Sequence, residues 1–325
     1  NEYFRFFDLR QAEAITTSGQ LSIRWIEKKL NEYMNKILKT EDDYVIAADT
    51  DSIYLNLDTL VCKTIKEAVP SSSTTDIISF MDKICEDKIQ PFIDKTYKEL
   101  ANYVHAFDQK MMMKREALSD KGIWTAKKRY ILRVHNNEGV QYATPKLKVM
   151  GLEMIKSSTP SACKEKLWEA IDIIFNEDEA AIIKFIENFR KEFKTLDPVS
   201  IAFPRSVNGL MKYKGLNGAI YGKKTPIHVR GSLIYNHLIK THKLEKKYEF
   251  IKEGEKIKFI YLKEPNIIHS DVISFANSIP KEFDVMKYID YDVQYEKSFV
   301  EPLKIILNSI GWKTERVSTL EDFFT

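Results

Sequence analysis

The chain has 325 residues, 44% of them hydrophobic and 30% charged, a balance that fills a core and leaves a charged surface. Its formal net charge is only +3, so no global basicity points to nucleic acid and any basic surface must be local. Cys62, Cys85 and Cys163 are too far apart for a zinc pattern and suit a reducing compartment, and no apolar run approaches the roughly 20 residues of a membrane helix.

Residues 8–38 read as one long helix. Ile26, Leu30, Tyr33, Met34 and Ile37 recur at helical spacing, with Glu27, Lys28, Lys29 and Glu32 on the outer face. Tyr44-Val45-Ile46-Ala47 and Ile53-Tyr54-Leu55-Asn56-Leu57 then flank Asp49-Thr50-Asp51, which reads as strand, tight turn and strand with the acids at the tip. Residues two apart on a strand share a side, so the two carboxylates could hold a hard divalent cation. An Asp-x-Asp turn is as readily explained as merely solvated. Residues 71–75 are a Ser/Thr-rich surface loop. A second helix is expected over about 76–90, with Pro91 interrupting it before a third over 92–106. Strands are expected over 111–116 and 124–134, and Asn136-Asn137-Glu138-Gly139 turns into another at 140–143. Helices covering an antiparallel sheet make an α+β fold.

The pattern changes near Gly151. Thr159-Pro160 predicts a capped helix start, followed by helices over 165–175, 177–196 and 226–244, a strand over 256–262 and a closing helix over 298–310. The expected organisation is a domain over 1–151, a mainly helical one over 152–315 and a tail over 316–325.

Four further groups carry chemistry. Residues 110–130 concentrate Lys110, Lys114, Arg115, Lys121, Lys127, Lys128 and Arg129 against only Glu116 and Asp120. Alternation over Lys127-Lys128-Arg129-Tyr130 would put Lys128 and Tyr130 on one face; the patch contacts DNA or is a solvated lysine run. Glu116 follows Lys114-Arg115 and, from the residues themselves, reads as a surface Glu salt-bridged to a neighbouring base. Lys146, Lys148 and Lys156 with Ser157, Ser158 and Thr159 lead into a helix start, a place that suits phosphate. Lys212, Lys214, Lys223, Lys224 and Arg230, interspersed with Gly215, Gly218 and Gly222, form a second phosphate candidate whose alternative is a solubilising loop, and His228 beside them fits a structural role. Last, Leu320, Phe323 and Phe324 alternate with acids, as a docking peptide would, unless they fold back on the chain.

Asp49-Thr50-Asp51-Ser52-Ile53-Tyr54 closely resembles the palm hairpin motif of B-family DNA polymerases. Tyr3-Phe4-Arg5-Phe6-Phe7-Asp8-Leu9-Arg10, Ala14-Ile15-Thr16-Thr17, Trp124-Thr125-Ala126-Lys127-Lys128-Arg129-Tyr130, Met150-Gly151-Leu152-Glu153 and Lys156-Ser157-Ser158-Thr159-Pro160 continue the likeness, in order, to the T-even bacteriophage type. The resemblance implies a partial polymerase palm followed by a thumb, acting in template-directed nucleotidyl transfer with two Mg²⁺ ions. It implies that Asp51 ligates both ions, that Asp49 sits beside it, that Glu116 stands where the family keeps a catalytic acid near the hairpin, and that Lys127, Lys128, Arg129 and Tyr130 lie against the minor groove at the primer terminus. Primer-template DNA, deoxynucleoside triphosphates and a sliding clamp held by the C-terminal tail are the implied partners, in the cytoplasm of a bacterial host. The family's exonuclease, first palm acid and fingers helix are not found before Asn1, so an N-terminal polymerase chain is a further expected partner. Two positions depart from the family: Ala48 stands where a glycine is usual, and Asn136 where an acid is. The rival expectations are a non-catalytic module binding duplex DNA and a clamp, and an inactive gene fragment.

Overall fold

The structure is a computed structural model that describes residues 2–66, 72–216 and 218–316. It is an α+β protein of two compact units, one of Asn1–Gly122 with Ile131–Lys148 and one of Ile123–Tyr130 with Val149–Thr325.

In the first unit, helix α1 runs Leu9–Leu38, as its periodicity requires. The Asp8 carboxylate caps it by accepting from the Arg10 N–H at 2.9 Å, and Lys39 ends it in the left-handed region at φ 54°. Ile26 and Leu30 are fully buried and pack with Val45, Ile93, Tyr97 and Leu100; Met34 and Leu38 pack with Tyr44, Leu60 and Met81. Strands β1 (Val45–Asp49) and β2 (Ser52–Leu55) form the expected antiparallel hairpin. Its register is fixed from α1, since Asn31 Oδ1 accepts from the backbone N–H groups of Tyr44 and Val45 at 2.8 and 3.0 Å.

Short helix α2 (Asp58–Val61) and a π turn over Cys62–Lys66 follow, then α3 (Thr74–Ile84), capped by a reciprocal Ser73–Asp76 box. Pro91 does not break the helix. A π turn over Cys85–Ile89 lets the Gln90 N–H reach Cys85 O, and α4 (Gln90–Tyr103) carries the helix on past Pro91, which has no N–H to donate. The expected strand over 111–116 is absent. Its backbone is held by side chains instead: Gln109 clasps both the N–H and the carbonyl of Met111, and Gln90 donates to Met113 O at 2.8 Å.

A three-stranded sheet runs in the order β3 (Ala117–Ala126), β4 (Arg129–Asn137), β5 (Val140–Met150). The β4–β5 turn is as expected, with Glu138 and Gly139 both at positive φ. The single strand expected over 124–134 is instead the end of β3, a tight turn at Lys127–Lys128 and the start of β4, with Lys128 left-handed at φ 61°.

In the second unit, α5 (Ser161–Asn176) and α6 (Glu179–Phe193) match the expected amphipathic helices. Thr159 does not cap α5. Its hydroxyl donates to Glu153 O at 2.7 Å and Pro160 is the capping residue. Next come α7 (Pro198–Ile201), β6 (Phe203–Ser206), α8 (Leu210–Tyr213), α9 (Ile227–Thr241), β7 (Lys256–Tyr261), β8 (Val272–Phe275), α10 (Tyr291–Tyr295) and, beyond a π turn, α11 (Glu301–Ser309). Only β7 of the antiparallel sheet β6–β7–β8 was anticipated. Helix α9 approaches β8 so closely that a Cβ on Gly231 would lie 2.4 Å from Ser274 Oγ. Phe189, Phe193, Tyr295 and Phe299 interlock edge to face elsewhere in this core, Phe189 and Phe299 having centroids 4.8 Å apart. The expected tail lies outside the described residues from 317 onward, so Leu320, Phe323 and Phe324 receive no structural account.

Candidate metal and nucleic-acid sites

The acidic turn is built by β1 and β2. Asp49 pairs across from Ser52, leaving Thr50 and Asp51 as a two-residue turn, with Thr50 left-handed at φ 57°. The Asp51 N–H closes on Asp49 O at 2.6 Å, the Thr50 hydroxyl donates to Asp49 Oδ1 at 3.0 Å, and the Ser52 hydroxyl donates to Asp49 O at 3.2 Å. Asp51 is thus in the turn and exposed while Asp49 is half-buried on the strand, so the two are not alternate residues of one strand face as expected. Glu116 is 58% exposed and ion-paired with Lys148, so a carboxylate and a phosphate candidate engage each other. In kind, Asp49 and Asp51 suit a hard cation, but among the described residues no group of three or more His, Cys, Asp or Glu gathers to hold one.

Behind Glu116, Arg115 pairs with Asp82 and donates to Asn136 Oδ1 at 2.9 Å, while Asn136 Nδ2 donates to Asp82 at 3.1 Å. Asn136 is 1% exposed and its oxygen also accepts from the Gly139 N–H at 3.0 Å. The uncharged Asn136 therefore ties three segments together, through bonds to the Arg115 guanidinium, the Asp82 carboxylate and the Gly139 N–H, a role no spacing signal revealed.

The basic turn Lys127–Lys128 exposes both lysines. Alternation fails here because Lys128 is a turn residue. Arg129 instead forks onto Glu153 at 2.8 and 3.0 Å, Lys156 joins the same carboxylate at 2.9 Å, and Tyr130 is buried with its ring 6.4 Å from Trp124. Gly151, at φ +67°, presses on this turn: a Cβ there would lie 2.3 Å from Lys128 O. Lys146 covers the Tyr142 ring at 4.3 Å, and Ser157 is exposed.

The second basic segment is a small hairpin. Lys214 bridges Tyr221, the Gly222 N–H donates to Tyr213 O at 2.9 Å, and a Cβ on Gly215 would lie 2.2 Å from Ala219 O. Lys212 lies over the Tyr213 ring at 5.3 Å, whereas exposed Lys214, Lys223 and Lys224 have no carboxylate partner among the described residues. Arg230 is committed, forking onto Asp271 at 2.6 and 2.8 Å with Tyr221 beneath it at 5.8 Å. Burial, and then Arg205, hold the His228 imidazole below its ordinary pKa, and its backbone carbonyl accepts from Ser232 and Ser274, which fits a structural residue.

No protein-family model matches the chain. Along its whole length it is 37% identical to the DNA-directed DNA polymerase of Enterobacteria phage T4, over 339 aligned residues, and 38% identical to that of Escherichia phage RB69, over 338. The chain is related throughout to T-even phage DNA polymerases. It spans 37% and 36% of the length of those two relatives. Because the similarity covers the whole chain, the acidic turn and both basic hairpins fall inside the stretch that resembles these polymerases. Among the described residues no helix is long and apolar enough to cross a membrane.

Proposed function

We propose that this chain forms a palm segment over 1–151 and the thumb over 152–315 of a phage-type B-family DNA polymerase, working in template-directed nucleotidyl transfer to a primer 3′ hydroxyl. The observation that carries this is the exposed acidic turn Asp49-Thr50-Asp51, lying in a chain that aligns with phage polymerases from end to end. Asp51 and Asp49 would hold Mg²⁺, whose chemistry when bound is to neutralise the phosphates around the reacting phosphorus. The protein's own contribution is positioning. The stiff β1–β2 turn presents the carboxylates, with Glu116 a third acid once Lys148 is drawn to a phosphate. The braced turn Lys127–Lys128 and buried Tyr130 set the primer end, and Lys146, Lys148, Lys156, Ser157, Lys212, Lys214, Lys223 and Lys224 grip duplex phosphates. The Arg129 guanidinium, spent on Glu153, supports the turn and leaves the phosphates to the lysines.

Asp49 and Asp51, even with Glu116, are too few for two ions, so synthesis needs further polymerase sequence with another acid and the fingers, in the same polypeptide or in an N-terminal partner that also carries the exonuclease. The tail residues Leu320, Phe323 and Phe324 would dock the sliding clamp. Lys214, Lys223 and Lys224, exposed and without carboxylate partners among the described residues, and an acid set that is incomplete also favour a second reading, a duplex-DNA and clamp-binding module without catalysis. Primer extension separates the two. The expected result is no Mg²⁺-dependent extension by this chain alone and extension once the remaining polymerase sequence is supplied. Robust synthesis by the chain alone refutes the dependence, and none by the completed enzyme leaves the binding module.

A further inference from the structure

The second unit holds a pocket of about 450 Å³ that none of the polymerase chemistry above uses. Ile220 and Tyr221 on the return arm of the basic hairpin line one side, Ile234, His237 and Leu238 of α9 another, and His269 a third. We infer that this pocket holds a single unstacked nucleobase of a DNA strand whose phosphates lie on Lys214, Lys223 and Lys224.

Three observations lead there. The first is chemical match. Aliphatic side chains offer a nucleobase burial for its faces, while the ring nitrogens of His237 and His269 and the Tyr221 hydroxyl offer hydrogen bonds to its edge. The second is charge complementarity. Lys223 and Lys224 follow the wall residue Tyr221 by two and three positions, and Lys214 is its bridge partner. All three lysines are exposed and without carboxylate partners among the described residues, so an anionic backbone beside the pocket meets cations that nothing else neutralises. The third is preorganisation. Tyr221 sits under Arg230 at 5.8 Å, Arg230 is fixed by Asp271, and the hairpin is folded so tightly that Gly215 has no room for a Cβ. A rigid wall loses little freedom when a base docks. An apolar protein side chain would fit the walls but leave the lysines and imidazoles unused. The inference rests on reading the hairpin lysines as a phosphate grip; the base pocket itself is additional to that reading.

Fluorescence anisotropy with short labelled oligothymidine, the same strand with abasic sites, and a blunt duplex tests it. The full chain should bind the normal strand on the order of tenfold more tightly than the abasic one. Leu238→Trp, which fills the pocket, and His237→Ala, at an exposed position, should each reduce that preference and leave duplex affinity unchanged. Lys223→Ala with Lys224→Ala should weaken normal, abasic and duplex binding alike. Equal binding of normal and abasic strands by the wild type overturns the base pocket while the phosphate grip stands, and so does a preference that both pocket variants keep at full size. If the lysine pair changes no affinity, the phosphate grip fails, and the inference with it.

Discussion

The two tight turns that carry the candidate chemistry share a backbone design and differ in how they are held. Each joins antiparallel strands through two residues, and each has one non-glycine residue in the left-handed region, Thr50 at φ 57° and Lys128 at φ 61°. The acidic turn is held by local bonds, a backbone contact from Asp51 and hydroxyls from Thr50 and Ser52, so the Asp51 side chain projects at an exposed position. The basic turn is braced from a distance in sequence, by Gly151 against Lys128 O and by the Arg129–Glu153 fork. A turn that binds a cation can be open, because the ion itself will order the carboxylates. A turn that must place a lysine against one point of a duplex needs outside support, since a lysine's flexible stem gives none.

Substitution should therefore separate function from stability at the acidic turn and mix them at the basic one. The largest effect is expected for Asp51→Asn. In the completed polymerase it should lower the single-turnover rate at least about a hundredfold, with DNA affinity and melting temperature unchanged. Asp49→Asn should be milder, because that side chain also receives the Thr50 hydroxyl. A fall in melting temperature equal to a core mutant's would show that the turn is structural, and a harmless Asp51→Asn would end its assignment as a ligand.

Gly151→Ala comes next. The added methyl meets a backbone carbonyl at 2.3 Å and the residue must hold φ +67°, so the cost should be about 2 kcal/mol or more by chemical denaturation. Gly19→Ala, where a Cβ meets nothing within 4 Å in mid-helix, should be neutral or stabilising and serves as the control. If the two variants are equally stable, the basic turn is not braced by Gly151.

The third expectation concerns the lysines themselves. Lys128→Ala should reduce extension from a paired primer end more than it reduces duplex affinity. Lys224→Ala should lower affinity severalfold for all sequences and flatten the salt dependence by about one unit of slope. Affinity over a salt series, set beside extension rates, distinguishes them; identical profiles would mean that both turns supply charge alone.

Much of this was legible in the sequence, for identifiable reasons. Helix α1 and the β1–β2 hairpin read correctly because their signals are local: a long apolar stripe, and β-branched flanks around turn-forming acids. Pro91 misled because a π turn can carry a helix past a proline by shifting the Gln90 N–H to Cys85 O, a repair with no sequence signature. The segment 111–116 has strand composition, yet side chains from Gln90 and Gln109 satisfy its backbone before a ladder can. At Lys127–Lys128 the alternating rule was applied across a turn, because nothing in a run of bases marks a left-handed lysine. Strand β8 is buried at all four positions and so shows no alternation to read. For the candidate sites, the residue types were visible and their pairings were not. Glu116 and Lys148 are 32 residues apart and Arg129 and Glu153 are 24 apart, so only the fold shows that each base is already engaged.

The smallest effect expected is electrostatic and again falls on the basic side of the comparison. On strands β3 and β4, which the basic turn joins, Asp120 accepts from Arg133 Nε at 2.9 Å and lies 3.0 Å from His135 Nε2. Burial pushes the Asp120 carboxyl up, but the bonds and charges of Arg133 and His135 outweigh it and hold the pKa below its ordinary value of 3.8. A carboxylate depressed in the folded state binds fewer protons there than in the unfolded chain. Its contribution is therefore complete above the unfolded value and fades as pH falls below about 4. At neutral pH Asp120→Asn should cost on the order of 1 kcal/mol, since the pair is partly exposed. The gap between wild type and variant should narrow as denaturation curves are taken from pH 5 to pH 3, because protonation does to the wild type what the substitution does to the variant. A gap at Asp120 that stays constant through pH 3 would mean that its ion pairs do not stabilise the strands behind the basic turn. The contrast between a turn left open and a turn braced would then rest on Gly151 and Glu153 alone.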